Sequence, residues 1–314
     1  MTTAFIFPGQ GSQAVGMGKS LAVAFPQAKA VFDEVDAALS QKLSAVMWDG
    51  PAEELTLTAN AQPALMAVSL AVVRVLEAEA GLELKRDAAF VAGHSLGEYS
   101  ALAAAGTFSI GDAARLLRIR GDAMQKAVPA GLGAMAALLG AELDLAREIA
   151  AAAAQGEVCE AANDNGGGQV VLSGAKAAIE RAIALATERG VKRAMLLPVS
   201  APFHCALMQP AAEAMQEALA KVAMQPPVVP VMANVGAAPL SDPDAIRASL
   251  VAQVTGTVRW RECVQAMAAA GVTDFVELGS GKVLDGLVKR IAAGTTTASI
   301  GTADDIAAYK TRQG

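Results

Sequence analysis

Phe90-Val91-Ala92-Gly93-His94-Ser95-Leu96-Gly97-Glu98-Tyr99-Ser100-Ala101-Leu102-Ala103-Ala104 is the stretch from which the fold is read. Residues 88–92 are a short apolar run of the kind buried inside a parallel sheet, and residues 98–104 have a composition that can start a helix. Between them lies Gly-x-Ser-x-Gly. A strand that turns sharply into a helix at such a pentapeptide exposes the serine hydroxyl at the helix N-terminus, where backbone N–H groups can stabilise an oxyanion. A glycine-rich turn with an ordinary serine has the same letters, but the match on both flanks favours Ser95 as a nucleophile carrying an acyl group.

Outward from this segment, strands and helices alternate. Residues 3–7 read as a strand, 8–18 as a glycine-rich loop, 25–39 as a helix, and about 61–80 as a second helix ending at Gly81. The middle of the chain has another rhythm: strand 133–139, helix 143–154, strands 157–161 and 169–173 around a turn-rich 163–168, helix 175–189, strand 191–199. That order is βαββαβ, a ferredoxin-like unit. A helix at about 205–222, the apolar run 228–231, two more helical stretches, a strand at 274–278 and a helix from Lys282 resume the first pattern. The expected fold class is α/β: an α/β-hydrolase-like core with a parallel sheet, residues 1–128 and 199–314, interrupted by an inserted ferredoxin-like subdomain at 129–198. A cleft between the two would be the natural active site.

Composition narrows the function. The 314 residues can bury a full core without a staple. Apolar residues make up 54%, but Gly, Pro or charge interrupts each apolar stretch before the ~20 residues that span a bilayer, so no membrane association is expected. The N-terminus lacks the pattern of a secretory signal. Cys159, Cys205 and Cys263 lie far apart with no Cys-x-x-Cys pair, which suggests neither disulfides nor zinc and fits a reducing cytoplasm. A net charge of -6 argues against general nucleic-acid binding.

A serine hydroxyl usually needs a base within hydrogen-bond reach, most often histidine, and there are two. His94 adjoins Ser95, and neighbouring side chains at a sharp turn point apart, which leaves it a structural role. His204, in Ser200-Ala201-Pro202-Phe203-His204, follows the last strand of the insert at the rim of the expected cleft and is the candidate base. No carboxylate obviously completes a triad: Asp112 and Asp122 fall in helical context, and a backbone carbonyl or an amide could orient the ring instead. Arg120 shares a helix face with Leu116 and Met124 within 110–127. A guanidinium on an apolar stripe needs an anionic partner. An internal salt bridge would satisfy it; so would the carboxylate of a dicarboxylic monoacyl thioester held beside Ser95.

A rival reading starts from Gly9, Gly11 and Ala14, which fit a dinucleotide fingerprint after a strand, with Asp33, Glu34 and Asp36 near the expected distance. Those acids sit in a helical pattern and Pro8 interrupts the tight turn, so a loop that lends backbone N–H groups explains the segment as well. Gly279-Ser280-Gly281-Lys282 is too short for a phosphate loop and reads as a strand-to-helix turn.

Taken together, Phe7-Pro8-Gly9-Gln10-Gly11-Ser12-Gln13, Gln62-Pro63-Ala64-Leu65, Gly93-His94-Ser95-Leu96-Gly97-Glu98-Tyr99, Arg120-Gly121-x-x-Met124-Gln125, Gln169-Val170-Val171-Leu172-Ser173-Gly174, Ser200-Ala201-Pro202-Phe203-His204 and Gln253-Val254-Thr255 resemble, in order, the malonyl-CoA:acyl carrier protein transacylases of type II fatty-acid synthesis. The resemblance implies that Ser95 takes malonyl from malonyl-CoA and passes it to the phosphopantetheine thiol of holo acyl carrier protein, with no cofactor. It implies His204 as acid and base, the Gln253 carbonyl orienting it, and an oxyanion hole from the N–H groups of Gln10 and Leu96. Arg120 would bind the malonyl carboxylate, with Gln62, Met124 and Phe203 lining the pocket. Lys192 with Arg193 and Lys289 with Arg290 are candidate contacts for the acidic carrier, and a monomer is expected.

Overall fold

The computed structural model describes residues 2–313. Ten strands follow in chain order: β1 (Thr3–Phe7), β2 (Phe90–Gly93), β3 (Gly133–Leu139), β4 (Cys159–Asp164), β5 (Gln169–Ala175), β6 (Arg193–Leu196), β7 (Val231–Ala233), β8 (Ala238–Leu240), β9 (Asp274–Leu278) and β10 (Thr296–Ile300). Six form one sheet in the order β10-β9-β1-β2-β7-β8, parallel except for the β7–β8 hairpin at one edge. The central strands are apolar on both faces because helices cover both sides: Ala4 to Phe7, Val91 and Ala92 are all buried. The remaining four form an antiparallel sheet in the order β4-β5-β3-β6, with helices Leu143–Ala154 and Lys176–Glu188 crossing between strands.

The expected strand at 157–161 lies instead at Cys159–Asp164, and the turn expected from Asn163 begins only after Asp164. A β-bulge between Ala161 and Asn163 lets the strand run on, so that Asn163 and Asp164, polar residues that read as a loop, pair with Val171 and Val170. β8 and β10 are further strands that the pattern did not announce, since neither has a run of large apolar residues.

The two faces of the small sheet have different partners. Ala136, Leu138, Val170 and Leu172 pack under the two helices, while Met135 and Val171, on the alternate positions, join the main core and line a cleft. The helix Thr58–Ala80 is long and apolar enough to cross a membrane, yet 89% of its most apolar window is buried within the protein, so it is a core helix. It ends at Gly81 in the left-handed conformation.

The sheet fixes where chemistry can occur. The loop beginning at Pro8 leaves the end of β1, His94 and Ser95 leave β2, and Asn234 leaves β7. These strands are adjacent and parallel, so three loops converge in one crevice beyond their C-terminal ends.

Candidate active site

Ser95 sits between β2 and the helix Gly97–Ala104 with φ 54°, left-handed backbone that an L-residue adopts at a cost of about 1–3 kcal/mol. The flanking glycines make this turn possible by close approach. A Cβ on Gly93 would lie 1.9 Å from the Gly97 backbone, and one on Gly97 would lie 2.3 Å from the carbonyl of Phe7. The Asn234 side chain pins the turn, with Oδ1 accepting from the Ser95 N–H (2.8 Å) and Nδ2 donating to the Gly93 carbonyl (2.8 Å).

His204, 4% exposed, is brought to Ser95 by a second left-handed residue conformation, φ 58°. Its Nε2 lies 2.7 Å from Ser95 Oγ and its Nδ1 lies 2.8 Å from the Gln253 carbonyl. A carbonyl only accepts, so Nδ1 carries the proton and Nε2 offers its lone pair to the hydroxyl. Burial, and after it the charge of Arg120, pushes the imidazole down to about 3. Asp112 takes no part, because its carboxylate pairs with Arg115 and accepts from the hydroxyl of Ser109, the N-cap of its own helix.

Arg120, 1% exposed, enters from the helix Ile110–Ala127. Gly121 next to it has no room for a side chain, since a Cβ there would lie 2.5 Å from the Ala59 Cα. The two helices therefore cross closely, and Arg120 Nη1 reaches Gln62 Oε1 at 2.8 Å. Nη2 donates to Gln253 Oε1 (2.8 Å) and to Ser95 Oγ (3.1 Å). Among the described residues no carboxylate forms a salt bridge with it within 4 Å, which removes the internal-salt-bridge reading. Burial lowers its pKa from the ordinary value.

Around these groups lies a cleft of about 830 Å³ between the small sheet and the larger unit, lined by Gln10, Gln62, Met124 and Phe203 among others. Gln62 Nε2 donates to Thr58 Oγ1 (2.9 Å) and contacts Met124 Sδ (3.8 Å), and Thr58 Oγ1 donates to Gln10 Oε1 (2.9 Å). Leu96 follows Ser95 at the N-terminus of the helix; neither its N–H nor that of Gln10 donates to a backbone acceptor among the described residues. His94 points away from the hydroxyl chemistry, with Nε2 2.8 Å from Asn165 Oδ1 and its ring against Trp260. Arg290 lines the cleft, while Lys192 and Arg193 are exposed outside the lining and Lys289 is paired with Asp285.

The dinucleotide reading fails on position. Asp33, Glu34 and Asp36 lie in the helix Pro26–Leu39, and Asp36 is buried accepting from the Ser44 N–H and hydroxyl. The residues 279–282 form the turn between β9 and the helix Val283–Ile291. Sequence reading missed Asn234 and the buried Glu98, whose Oε2 accepts from the Asn234 N–H and Gln253 Nε2. The signal for Glu98 was a lone acid opening an otherwise apolar helix.

The acyl transferase domain family matches residues 4–303. The chain is 46% identical over 305 residues to the malonyl CoA-acyl carrier protein transacylase of Escherichia coli (strain K12), covering 97% of each. The chain belongs to the malonyl CoA-acyl carrier protein transacylases. Among solved transacylase structures, it superposes on the acyl-carrier-protein-S-malonyltransferase of Bartonella henselae with a TM-score of 0.97 at 57% identity, covering 100% of this chain and 99% of that one. A malonyl-transacylase solved in complex with its type II PKS acyl-carrier protein aligns at 40% identity and TM-score 0.96, over 99% of this chain and 100% of that one.

Proposed function

We propose that the chain is a malonyl-CoA:acyl carrier protein S-malonyltransferase of fatty-acid synthesis, working by a ping-pong mechanism through a malonyl ester of Ser95. The observation that carries this reading is the buried Arg120 guanidinium 3.1 Å from the nucleophilic oxygen, which suits an acyl group with a free carboxylate. The names of the relatives support malonyl as that group and acyl carrier protein as the partner.

In the first half-reaction Ser95 Oγ attacks the thioester carbonyl as its proton passes to His204 Nε2, held by the Gln253 carbonyl. The N–H groups of Gln10 and Leu96 stabilise the resulting oxyanion. Collapse breaks the C–S bond, and the His204 proton leaves with the coenzyme A thiolate. In the second half-reaction His204 takes the proton of the phosphopantetheine thiol, the sulfur attacks the ester, the C–O bond breaks and the proton returns to Ser95 Oγ. Arg120 holds the malonyl carboxylate in both, with Gln62, Met124 and Phe203 shaping the pocket. No step uses a cofactor.

The division into residues 1–128 with 199–314 and residues 129–198 is proposed as functional, because both parts line the cleft. Arg290 at the cleft, with Lys289, Lys192 and Arg193 farther out, is proposed to meet the acidic carrier. Isolated acyl-enzyme, mixed with holo carrier protein, should lose its malonyl group far faster than in buffer. Equal rates of loss would support a hydrolase and end the transferase reading.

A further inference from the structure

Four carboxylates are buried among the described residues, and three have plain structural partners: Asp36 holds Ser44, Asp164 pairs with Arg261, and Glu277 accepts from the N–H groups that open the helix Val283–Ile291. Glu98, 1% exposed, faces the reacting groups instead. Its Oε2 accepts from Gln253 Nε2 (2.8 Å) and from the Asn234 N–H (3.0 Å). Each of those residues touches Ser95: Gln253 Nε2 donates to the Ser95 carbonyl (3.0 Å), and Asn234 Oδ1 accepts the Ser95 N–H.

The Gln253 side-chain amide thus stands between a carboxylate and a guanidinium, with its NH2 toward Glu98 and its oxygen toward Arg120. An amide is nearly symmetric in shape but not in polarity. Turned over, it would set its NH2 against the Arg120 donors and its oxygen against the Glu98 oxygen, losing both hydrogen bonds in a buried site. An ionised carboxylate accepts only, so Glu98 selects the orientation seen. When ionised it also acts on the Arg120 guanidinium across the Gln253 amide, at a distance and without the direct contact that a substrate carboxylate would make.

We propose that Glu98 is a positioning residue for acyl transfer: through Gln253 it fixes the Arg120 guanidinium and the carbonyl that orients His204, and through Asn234 it fixes the Ser95 turn. This deepens the transferase reading and rests on it. Burial pushes the Glu98 carboxyl up to about 7 against its two N–H donors and Arg120. The other titratable groups acting with it are Tyr99 beside it and Cys263 of the helix Trp260–Ala269.

Glu98→Gln keeps the shape and removes the charge. With malonyl-CoA and holo carrier protein, kcat per Ser95 able to form the acyl-enzyme should fall about tenfold or more, with the KM for malonyl-CoA unchanged or lower, because the guanidinium loses its resident counter-charge. Wild-type kcat should decline as the pH drops below about 7, and the variant should lack that decline. A purely structural role would instead lower the fraction of chargeable enzyme and leave kcat per chargeable serine within about twofold at every pH; that result overturns the proposal. If Glu98→Gln does not fold, Glu98→Asp, one methylene short of Gln253, is measured in the same way, and unaltered kcat per chargeable serine overturns it equally. Wild-type enzyme that never acquires malonyl would refute the transferase reading itself, whereas normal wild-type charging with an indifferent variant refutes only the role of Glu98.

Discussion

His204 Nδ1 is bonded to the backbone carbonyl of Gln253 at 2.8 Å, in the place where a serine–histidine pair often has a carboxylate. The carbonyl orients the ring and fixes its tautomer but brings no full negative charge to stabilise an imidazolium. With Arg120 close by and the ring buried, the folded enzyme keeps this histidine neutral, the form that the proposed transfer of the serine proton to Nε2 requires.

The chain contains two histidines, and burial lowers the pKa of His94 as well. When the imidazole proton resonances are followed by NMR from pH 8 to 5, His204 should therefore show no titration near 6.5, and His94 should titrate below the ordinary imidazole value. A full titration of His204 centred at 6.5 would contradict the geometry.

Stability should register the same shift. The unfolded chain protonates this imidazole near 6.5 and the folded chain near 3, so between those values the unfolded state holds more protons and folding weakens as the pH falls. Denaturant midpoints of wild type and His204→Gln, compared at pH 7 and pH 5, isolate the effect, because all other groups are common to both. Relative to the variant, the wild type should lose about 1.4 kcal/mol per pH unit inside the window. A constant difference would show that His204 is not buried as a neutral ring.

Arg120→Ala should reduce malonyl transfer about 100-fold and acetyl transfer less than about tenfold, as expected when a charge-assisted carboxylate contact is lost. Both substrates suffer the disturbance to Gln62 and Gln253, so the ratio of the two losses is the informative number. Equal losses would remove the carboxylate role.

Gly121→Ala tests how the fold delivers Arg120. The new methyl would meet the Ala59 Cα and the Thr58 carbonyl at 2.5 and 2.7 Å and must force the helices apart. A loss of about 1–3 kcal/mol in stability, with a raised KM for malonyl-CoA, is expected. Gly111→Ala lies on the same helix with nothing nearer than 3.5 Å and should be neutral or slightly stabilising.

Much of this site was legible in the sequence because its parts sit on strong local signals. The elbow needs two glycines at fixed spacing, the helix Ile110–Ala127 has a sharp apolar stripe with Arg120 inside it, and β3 and the helix Leu143–Ala154 fall at their expected bounds. The bounds of β4 were not legible, because a bulge depends on the partner strand. Glu98 and Asn234 were missed for a related reason. Glu98 and Asn234 lie more than a hundred residues apart, and only the packing of β2 against β7 brings them together.

The most direct test of the account is intact-protein mass spectrometry of the enzyme incubated with malonyl-CoA alone, followed by peptide mapping. Wild type should gain one malonyl group, mapped to Ser95 and removed on addition of holo carrier protein, while Ser95→Ala gains none. A wild-type protein that gains no malonyl group, or a Ser95→Ala variant that gains one as readily, would contradict it.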